Sequence, residues 1–391
     1  MANTLKFGNG EWYGKKDTIL AYNAENNNFK PLPFDFSRAS SATVVNKAGL
    51  IETVGSGEPR IDFLGNTKGA LKLEPARTNL FLTSASGVYG SSPASETNTI
   101  SPDGTLNAVI PTPDTTSNRY QYDVSSGTYA TNTKLAYSWY RKRISTPIDT
   151  SHIGDLHIKS LSNASQVGST TQIESDVNGF DRFQAVLNIT DSSLPSYLRG
   201  YFGNVVGIGN SSVAYFGHQM EVGDFSTSYI PTSGSAVTRI ADVCNQTPPS
   251  GVIGQTEGVA YVEIDWKGND EESIFSVLHD GTTSNRMDFG YSATFNSIYF
   301  NVRTSGGGQG LMQYSNPIAG KYKIAVAYEN NSFTLWVNGV KEASDGSGSV
   351  PITTQYNVGN YIGGGREYPI ISSKLYNTKL TDSELQKLTT I

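Results

Sequence analysis

Two carboxylates with a spacing that suits glycoside hydrolysis stand in the second half of the chain, at Glu263 and Asp265. Alternate residues of a β-strand point to one face, so both carboxyl groups would line the same groove. Retaining glycosidases need such a pair about 5–5.5 Å apart. Those on a lectin-like sandwich carry a further glutamate along this face, but here position 267 is lysine and Gly268 follows. The catalytic pair is therefore incomplete, and we interpret Glu263 and Asp265 as a solvated pair on the outer face of a strand.

The other residue types that support catalysis or metal binding lack the necessary spacing. The four histidines fall outside the His-Glu-x-x-His pattern, and no Gly-x-Ser-x-Gly or phosphate-binding loop occurs. Cys244 is the single cysteine, which excludes a disulfide within the chain and a site built on several thiolates. The Asp-Gly pairs at 280–281 and 345–346 offer oxygens for Ca²⁺, but turn chemistry explains them equally well. We therefore predict no catalytic residue, no metal and no cofactor.

Aromatic side chains are the second candidate for chemistry, because a sugar ring stacks on an exposed aromatic face while polar neighbours hydrogen-bond its hydroxyls. The sequence holds 22 Tyr, 16 Phe and 4 Trp. Trp336 is flanked by two apolar residues on a predicted strand, so it takes the opposite face from them. The predicted glycan-binding residues are Trp266, Arg286, Tyr291 and Trp336. The alternative for each ring is a place in the core or in a contact between chains.

The composition restricts the class of protein that must position these residues. Lys and Arg total 29 against 35 Asp and Glu, for a net charge of −6, so the basic excess of a nucleic-acid-binding protein is missing. Aromatics reach 11% while charged residues make up only 16%, which excludes a disordered chain. Ser, Thr, Asn, Gly and Tyr dominate, as in an all-β protein with many turns. A length of 391 residues corresponds to about two or three domains.

Alternating apolar residues predict strands most clearly in the last third of the chain. Six strands are predicted there, at 258–266, 273–278, 286–291, 297–303, 321–328 and 332–337. Asn338-Gly339 is the strongest turn signal, and the glycine run 306–310 is interpreted as a flexible turn. One helix is predicted at the C-terminal end, where Thr381 and Glu384 have the spacing of a capping box.

Three parts follow from these patterns. Residues 1–80 hold short strands with too few apolar residues for a core, so we expect them to pack on a neighbouring domain or on other chains. Residues 81–243 carry short strands at the spacing of a sandwich or jelly roll. Residues 251–391 follow a proline-containing linker and form the third part. No segment reads as a signal peptide or membrane span, so we expect synthesis in a cytoplasm.

Several segments resemble a recurrent N-terminal region of tailed-bacteriophage virion proteins: 37–43 (SRASSAT), 49–52 (GLIE), 58–63 (EPRIDF) and 73–80 (LEPARTNL). Segments 221–232 (EVGDFSTSYIPT) and 237–243 (VTRIADV) resemble the closing strand and tail of a phage spike or fibre domain, a carbohydrate-binding-module-like jelly roll. Segments 333–339 (FTLWVNG) and 375–385 (LYNTKLTDSEL) resemble a concanavalin A-like, laminin-G-like lectin domain. The fold implied is all-β, with an N-terminal attachment segment, a jelly roll and a C-terminal concanavalin A-like sandwich.

The resemblance implies a virion fibre or spike protein on a phage head or tail, often homotrimeric, which contacts other virion proteins and bacterial surface polysaccharide. The expected location is the virion, after synthesis in the host cytoplasm. Three functions stay open: adhesion to surface glycans, a ligand-free capsid decoration, and a polysaccharide depolymerase. We expect adhesion without enzymatic activity, since the lysine at 267 departs from the hydrolase pattern.

Three charged residues of the attachment segments, Arg38, Glu74 and Arg77, are predicted to make contacts within or between chains. A buried arginine is tolerated only when it is paired. We therefore expect these residues to form buried ion pairs or backbone contacts, in a role that serves attachment or assembly.

Overall fold

The structure, a computed structural model, describes residues 4–22, 31–85, 94–96, 99–111, 120–124, 129–144, 157–159, 165–167, 169–189, 198–202, 213–248, 250–266, 268, 272–359 and 369–391. Strands dominate these residues, and their one helix, α1 (Asp382–Thr389), lies near the C-terminal end. The predicted all-β fold class is confirmed. No helix within these ranges is long and apolar enough to cross a membrane.

The strands are numbered in chain order. Up to residue 79 they are β1 (Leu5–Gly8), β2 (Gly14–Lys15), β3 (Thr18–Tyr22), β4 (Pro31–Ser37), β5 (Ala42–Val45), β6 (Ile51–Val54), β7 (Ile61–Asp62), β8 (Ala70–Leu71) and β9 (Arg77–Asn79). Up to residue 246 there follow β10 (Ala94–Glu96), β11 (Val109–Pro111), β12 (Tyr120–Val124), β13 (Lys134–Arg143), β14 (His157–Lys159), β15 (Ser165–Val167), β16 (Ser169–Val177), β17 (Phe180–Asn188), β18 (Leu198–Phe202), β19 (Val213–Val222), β20 (Val237–Arg239) and β21 (Val243–Gln246). The last are β22 (Glu257–Trp266), β23 (Ser273–His279), β24 (Arg286–Ser292), β25 (Ser297–Thr304), β26 (Gly307–Ser315), β27 (Gly320–Glu329), β28 (Ser332–Val337), β29 (Val340–Asp345), β30 (Gln355–Val358) and β31 (Ile370–Tyr376).

By their internal contacts the residues group into two compact units. Unit 1 consists of Met1–Ser41, Val54–Pro75 and Ile240–Ile391, and unit 2 consists of Ala42–Thr53 and Ala76–Arg239. The predicted division into 1–80, 81–243 and 251–391 stays a prediction. It differs from this grouping in that most of the first part lies in the same unit as the C-terminal strands.

Antiparallel pairing joins the strands of unit 1 in one continuous series. The order is β29-β28-β27-β22-β31-β1-β3-β4-β21-β30-β23-β24-β25-β26. Apolar residues from both halves of the series share one core, in which Val262 and Ile264 of β22 lie with Phe289 of β24 and Phe300 of β25. The series is therefore folded over on itself as a sandwich, the arrangement by which sheets bury one face.

The N-terminal strands complete this sandwich. β1 pairs with β31, β3 with β4, and β4 with β21. Their apolar side chains Leu5, Phe7, Ile19, Phe34 and Phe36 are buried in the same core as the C-terminal strands. The parts of segment 1–80 that belong to unit 1, residues 1–41 and 54–75, thus pack against the apolar partners that their own short strands lack.

Two-residue turns set the register of two hairpins in the C-terminal strands. Asn338 and Gly339, with φ of 49° and 87°, join β28 to β29, which confirms the predicted turn. Ser305 and Gly306, with φ of 50° and 80°, join β25 to β26 in the same way. Positive φ at both positions is the signature of the hairpin turn whose twist matches the strands. The prediction of a flexible turn over 306–310 is wrong beyond Gly306, because pairing with β25 draws the following glycines into β26.

A smaller core lies on the outer face of β22, β27 and β28. It contains Val259 and Tyr261 of β22, Trp336 of β28 and Leu385 of α1. The predicted capping box of α1 is confirmed, since the Thr381 side chain accepts from the Glu384 N–H and the Glu384 carboxylate accepts from the Thr381 N–H. The helix therefore begins at a fixed residue and covers part of this face.

Unit 2 contains a six-stranded sheet, β10-β11-β19-β13-β17-β16, and a four-stranded sheet, β12-β18-β14-β15. Its core is built on β13, where Leu135, Tyr137 and Trp139 lie with Phe183 of β17 and Met220 of β19. Leu135, Tyr137 and Trp139 stand at every second position of β13, so they point to the same side and share this core.

Candidate functional site

The outer face of one sheet of unit 1 carries a group of polar side chains that begins on β24. Met287, Phe289 and Tyr291 of this strand are in the core, so alternation places Arg286 and Asp288 on the other face. The Arg286 side chain is 20% exposed, whereas that of Asp288 is 4% exposed. One partly accessible cation therefore stands beside one buried carboxyl group.

β25 contributes three more polar side chains to this face. Its alternate residues are apolar and lie in the core, while Tyr299, Asn301 and Arg303 between or beside them are half-buried. The register sets Asp288 opposite Asn301 and Arg286 opposite Arg303. We call these five residues, Arg286, Asp288, Tyr299, Asn301 and Arg303, the polar row.

Asp288 is the centre of the hydrogen bonds within the polar row. Its Oδ1 accepts from Arg286 Nε at 2.6 Å and from Asn301 Nδ2 at 2.9 Å. Burial, together with the charge of the nearby Asp288, raises the pKa of Tyr299 above its ordinary value. The phenol is therefore protonated at neutral pH. Two donors, Arg286 and Asn301, on one buried acceptor fix the side chains around it.

His279 of β23 stands opposite Arg286 and extends the same face. The Gly281 N–H donates to His279 Nδ1 at 2.9 Å, so this nitrogen carries no proton, and Nε2–H donates to Asn357 Oδ1 at 3.1 Å. Burial lowers the pKa of His279 below its ordinary value, although Asn357 and Asp280 act in the opposite sense. The imidazole is neutral at physiological pH and adds no charge beside the polar row.

The polar row has the chemistry of a surface that recognises hydroxyl-rich ligands. Guanidinium forks, an amide and a phenol are held on a rigid sheet, and Arg286, Asn301 and Arg303 keep part of their surface accessible. Asp288 is its one carboxylate. Within the ranges that the structure describes, no group of three or more His, Cys, Asp or Glu side chains could hold a metal ion. The arrangement can bind and orient a polar ligand by hydrogen bonds.

Of the four residues predicted to contact a glycan, Arg286 lies in the polar row and the three aromatic residues lie elsewhere. Trp266 and Tyr291 are only 2% and 3% exposed, and their ring centroids are 4.9 Å apart. Both rings are part of the main core of unit 1. They offer no open face to a sugar, so the predicted stacking role does not fit their position.

Trp336 takes the face of β28 opposite Leu335 and Val337, as predicted, but this face is covered. The indole lies with Leu385 of α1 in the smaller core and is 5% exposed. Its Nε1–H donates to Thr334 Oγ1 at 3.2 Å. A sugar-stacking role does not fit this burial either.

Arg38 and Glu74 belong to a buried ion network in unit 1. Arg38 Nη1 lies 3.0 Å from Asp242 Oδ1, and Arg60 bonds to Glu74 at 2.6 Å and also to Asp242. Burial by itself disfavours the Arg60 charge, but Asp242 and Glu74 outweigh it and raise the pKa of Arg60. The expected ion pairs of Arg38 and Glu74 are thus present within one chain, while a role in contacts between chains stays a prediction.

Arg77 lies in unit 2, apart from that network. Its guanidinium carbon is 5.0 Å from the centroid of the Phe225 ring, and Nη1 donates to the Ala76 carbonyl at 3.3 Å. The contacts of Arg77 are therefore a cation–π pair and a backbone hydrogen bond. Its proposed importance for assembly stays a prediction.

Glu263 and Asp265 are half-exposed on β22, whose Val262 and Ile264 point into the core. The Tyr261 hydroxyl donates to Glu263 at 3.4 Å. This placement agrees with the outer-face interpretation. The two Asp-Gly turns use their carboxylates locally, since Asp280 accepts from the Thr282 N–H at 2.8 Å and Asp345 from the Ser347 N–H at 3.0 Å.

The sequence contains a signal for the polar row that prediction from aromatic residues missed. Segment 286–289 (RMDF) alternates between polar and apolar residues, and segment 298–301 (IYFN) does the same if the hydroxyl of Tyr299 is counted as polar. Such alternation shows that each strand has a polar face. It does not show that Asp288 and Asn301 lie side by side, because that depends on the register between the strands.

No protein-family model and no curated protein matches the chain. Among solved structures, the CBM40 domain of the Ruminococcus gnavus IT-sialidase is 13% identical, with 35% of this chain and 84% of that chain covered and a TM-score of 0.31. The binding domain of botulinum neurotoxin serotype D/C is 10% identical, with 38% and 40% covered and a TM-score of 0.32. Domains LG4–5 of the mouse laminin alpha1 chain are 8% identical, with 78% and 91% covered and a TM-score of 0.26. These likenesses are too distant to assign a function.

Proposed function

We propose that this chain is a fibre or spike protein of a tailed-bacteriophage virion, and that it adheres to glycans on the bacterial surface through the polar row. The observation that carries the proposal is the pair of hydrogen bonds from Arg286 and Asn301 to Asp288 on the outer face of a sheet. Fixed donors with partial exposure match the many hydroxyls of a saccharide.

The virion assignment is supported by the segments that resemble phage proteins, above all 73–80 and 221–232. A homotrimer, contacts with other virion proteins and assembly in the host cytoplasm belong to the same proposal. Several copies on one particle would raise the effective concentration at the host surface, so weak contacts by each copy are sufficient for firm adhesion.

The proposal contains no catalytic step. Hydrolysis of a glycosidic bond needs two carboxyl groups, and the polar row has only Asp288, which already accepts from two donors. A depolymerase would have to act elsewhere, with Glu263 as the first residue to test. Release of reducing ends from host polysaccharide, abolished by Glu263→Gln, would support that rival function.

The direct test is binding of the intact protein to purified surface polysaccharides from candidate host bacteria, measured by biolayer interferometry. Asn301→Ala removes one donor of the polar row, and Gln386→Ala removes an exposed amide from α1 as the matched control. We expect binding to weaken by about tenfold in Asn301→Ala and to stay unchanged in Gln386→Ala.

Two results would count against the proposal in different ways. Binding that is equal in Asn301→Ala and the wild type would move the site away from the polar row. No binding to any polysaccharide, in a protein that is still required for intact virions, would favour the ligand-free decoration.

A further inference from the structure

Two arginines face each other at one end of the polar row. Arg286 of β24 and Arg303 of β25 are register partners, and both are half-buried on the outer face. Directly opposed residues of neighbouring antiparallel strands have Cβ atoms about 4.5–5.5 Å apart, and like charges in this position destabilise the sheet. This cost calls for a compensating charge.

The hydrogen bonds of the two guanidiniums differ. Arg286 donates Nε to Asp288 at 2.6 Å and Nη1 to the Thr283 carbonyl at 2.6 Å. Arg303 donates Nη2 to the Gly306 carbonyl at 2.8 Å, but its Nε is buried without a partner. Within the described residues Arg303 forms no ion pair, so one charge of the pair lacks a carboxylate.

The groups around the pair do not supply the missing negative charge. His279, which stands opposite Arg286 on the other side, is neutral because its Nδ1 accepts from the Gly281 N–H. Asp280 is hydrogen-bonded by Thr282 and Asn285, and within the described residues it forms no ion pair with either arginine. Asp288 is the carboxylate already bound by Arg286. The pair thus has one carboxylate, which is bound by Arg286, and the positive charge of Arg303 remains uncompensated at the end of the polar row.

We infer that Arg303, with Arg286 beside it, binds the anionic group of an acidic saccharide. This inference rests on the proposed function and narrows its substrate class. The guanidinium fork binds carboxylate and phosphate oxygens through two hydrogen bonds. In Arg303, Nη1–H and the second Nη2–H are left for this purpose, since one Nη2–H donates to the Gly306 carbonyl and Nε is buried. Asn301, next to it on the same face, is placed to bond a ring hydroxyl of the same sugar. A neutral saccharide would leave the charge uncompensated.

The test is calorimetry of the intact protein with oligogalacturonate, oligosialate and a ribitol-phosphate oligomer, each at low and moderate salt. Carboxyl-reduced oligogalacturonate, which has the same ring without the charge, is the matched neutral ligand. We expect at least one acidic saccharide to bind at least about tenfold more tightly than the neutral ligand. The carboxylate and phosphate probes distinguish the two sources of the anion.

Three variants assign the effect to the pair. Arg303→Gln should weaken acidic binding about tenfold or more and reduce its salt dependence, while Arg303→Lys should retain part of the affinity because it keeps the charge without the fork. Lys321→Gln, which removes an exposed charge from β27, should change nothing. Arg303→Gln should also melt at the same or a higher temperature, because it relieves the repulsion from Arg286.

Equal binding of charged and carboxyl-reduced saccharides, or acidic binding that Arg303→Gln does not change, would overturn the inference and leave glycan adhesion intact. Binding of a host polysaccharide with no binding of any acidic probe would do the same. Absence of binding to every saccharide would overturn both the inference and the proposed function.

Discussion

Asp242 stands between two buried arginines of unit 1: it bonds Arg38 at 3.0 Å and also Arg60, and it accepts from the Glu74 N–H at 2.9 Å. In Asp242→Asn the two guanidiniums would share a single carboxylate, that of Glu74. Because an unpaired buried charge is costly, we expect the free energy of unfolding to fall by about 3–5 kcal/mol. Urea denaturation measures this loss.

The control for that variant is Glu11→Gln, which breaks an exposed pair with Lys6. Pairs of this kind contribute about 0–1 kcal/mol, so Glu11→Gln should unfold almost as the wild type does. A loss below about 1 kcal/mol in Asp242→Asn would mean that the network isn't formed as described.

A buried histidine makes the stability of unit 2 depend on pH. His218 bonds the Tyr137 hydroxyl at 2.9 Å, and burial lowers the pKa of His218 to about 3. In the unfolded chain its pKa is about 6.5, so between pH 6.5 and 3 the unfolded state binds more protons. The contribution of His218 to the free energy of unfolding is therefore complete above pH 6.5. It is lost as the pH falls toward 3, by roughly 1.4 kcal/mol for each pH unit.

Urea unfolding at pH 6.5 and at pH 5.0 tests this dependence, with hydrogen exchange of the β13 amides as the probe of unit 2. We expect a difference of about 2 kcal/mol in the wild type, and a clearly smaller one in His218→Asn, which keeps a polar atom near Tyr137 but does not titrate. The same dependence of stability on pH in both proteins would contradict the assignment to His218. Burial also raises the pKa of Glu221, which makes stability fall as the pH rises, but this effect is present in both proteins and cancels in the comparison.

At the scale of secondary-structure elements, alternation predicted the strands well but could not tell which polar or aromatic face was covered. The predicted strand 286–291 corresponds to β24 (Arg286–Ser292), and the alternation correctly separated Trp336 from its neighbours. The cover over Trp336 comes from α1, nearly fifty residues further along the chain. Local sequence has no information about such a contact, so exposure was the part that failed.

The pairing of N-terminal with C-terminal strands in unit 1 predicts that the C-terminal residues do not fold by themselves. Residues 251–391 alone would lack β1, which pairs with β31, and β21, which pairs with β30. They would also lack the core side chains Phe7 and Phe34. We therefore expect this fragment to unfold without a cooperative transition and to bind a hydrophobic dye.

The control joins residues 1–75 to 240–391 through a short Gly-Ser linker. The two ends are close, because the Asp242 N–H donates to the Glu74 carbonyl at 3.0 Å. This chain contains every strand of the series and should melt cooperatively in calorimetry. A cooperative transition in the 251–391 fragment would show that the N-terminal strands are dispensable for the core.

At the scale of the whole molecule, composition was sufficient for the all-β class and for the absence of a basic excess. The candidate site could be predicted only in part. The sequence identified Arg286 as a binding residue, but not the other residues of the polar row, Asp288, Tyr299, Asn301 and Arg303. They come together only through the register of β24 with β25. A hydrogen-bonding surface assembled across strands is a property of the folded sheet, so residue types alone could not reveal it.

The most direct measurement is a crystal structure of the intact protein with the oligosaccharide that it binds most tightly. We predict sugar oxygens within hydrogen-bond distance of Arg286, Asn301 and Arg303, with little movement of β24 and β25. A saccharide bound in unit 2, or over α1, would contradict the assignment of adhesion to the polar row.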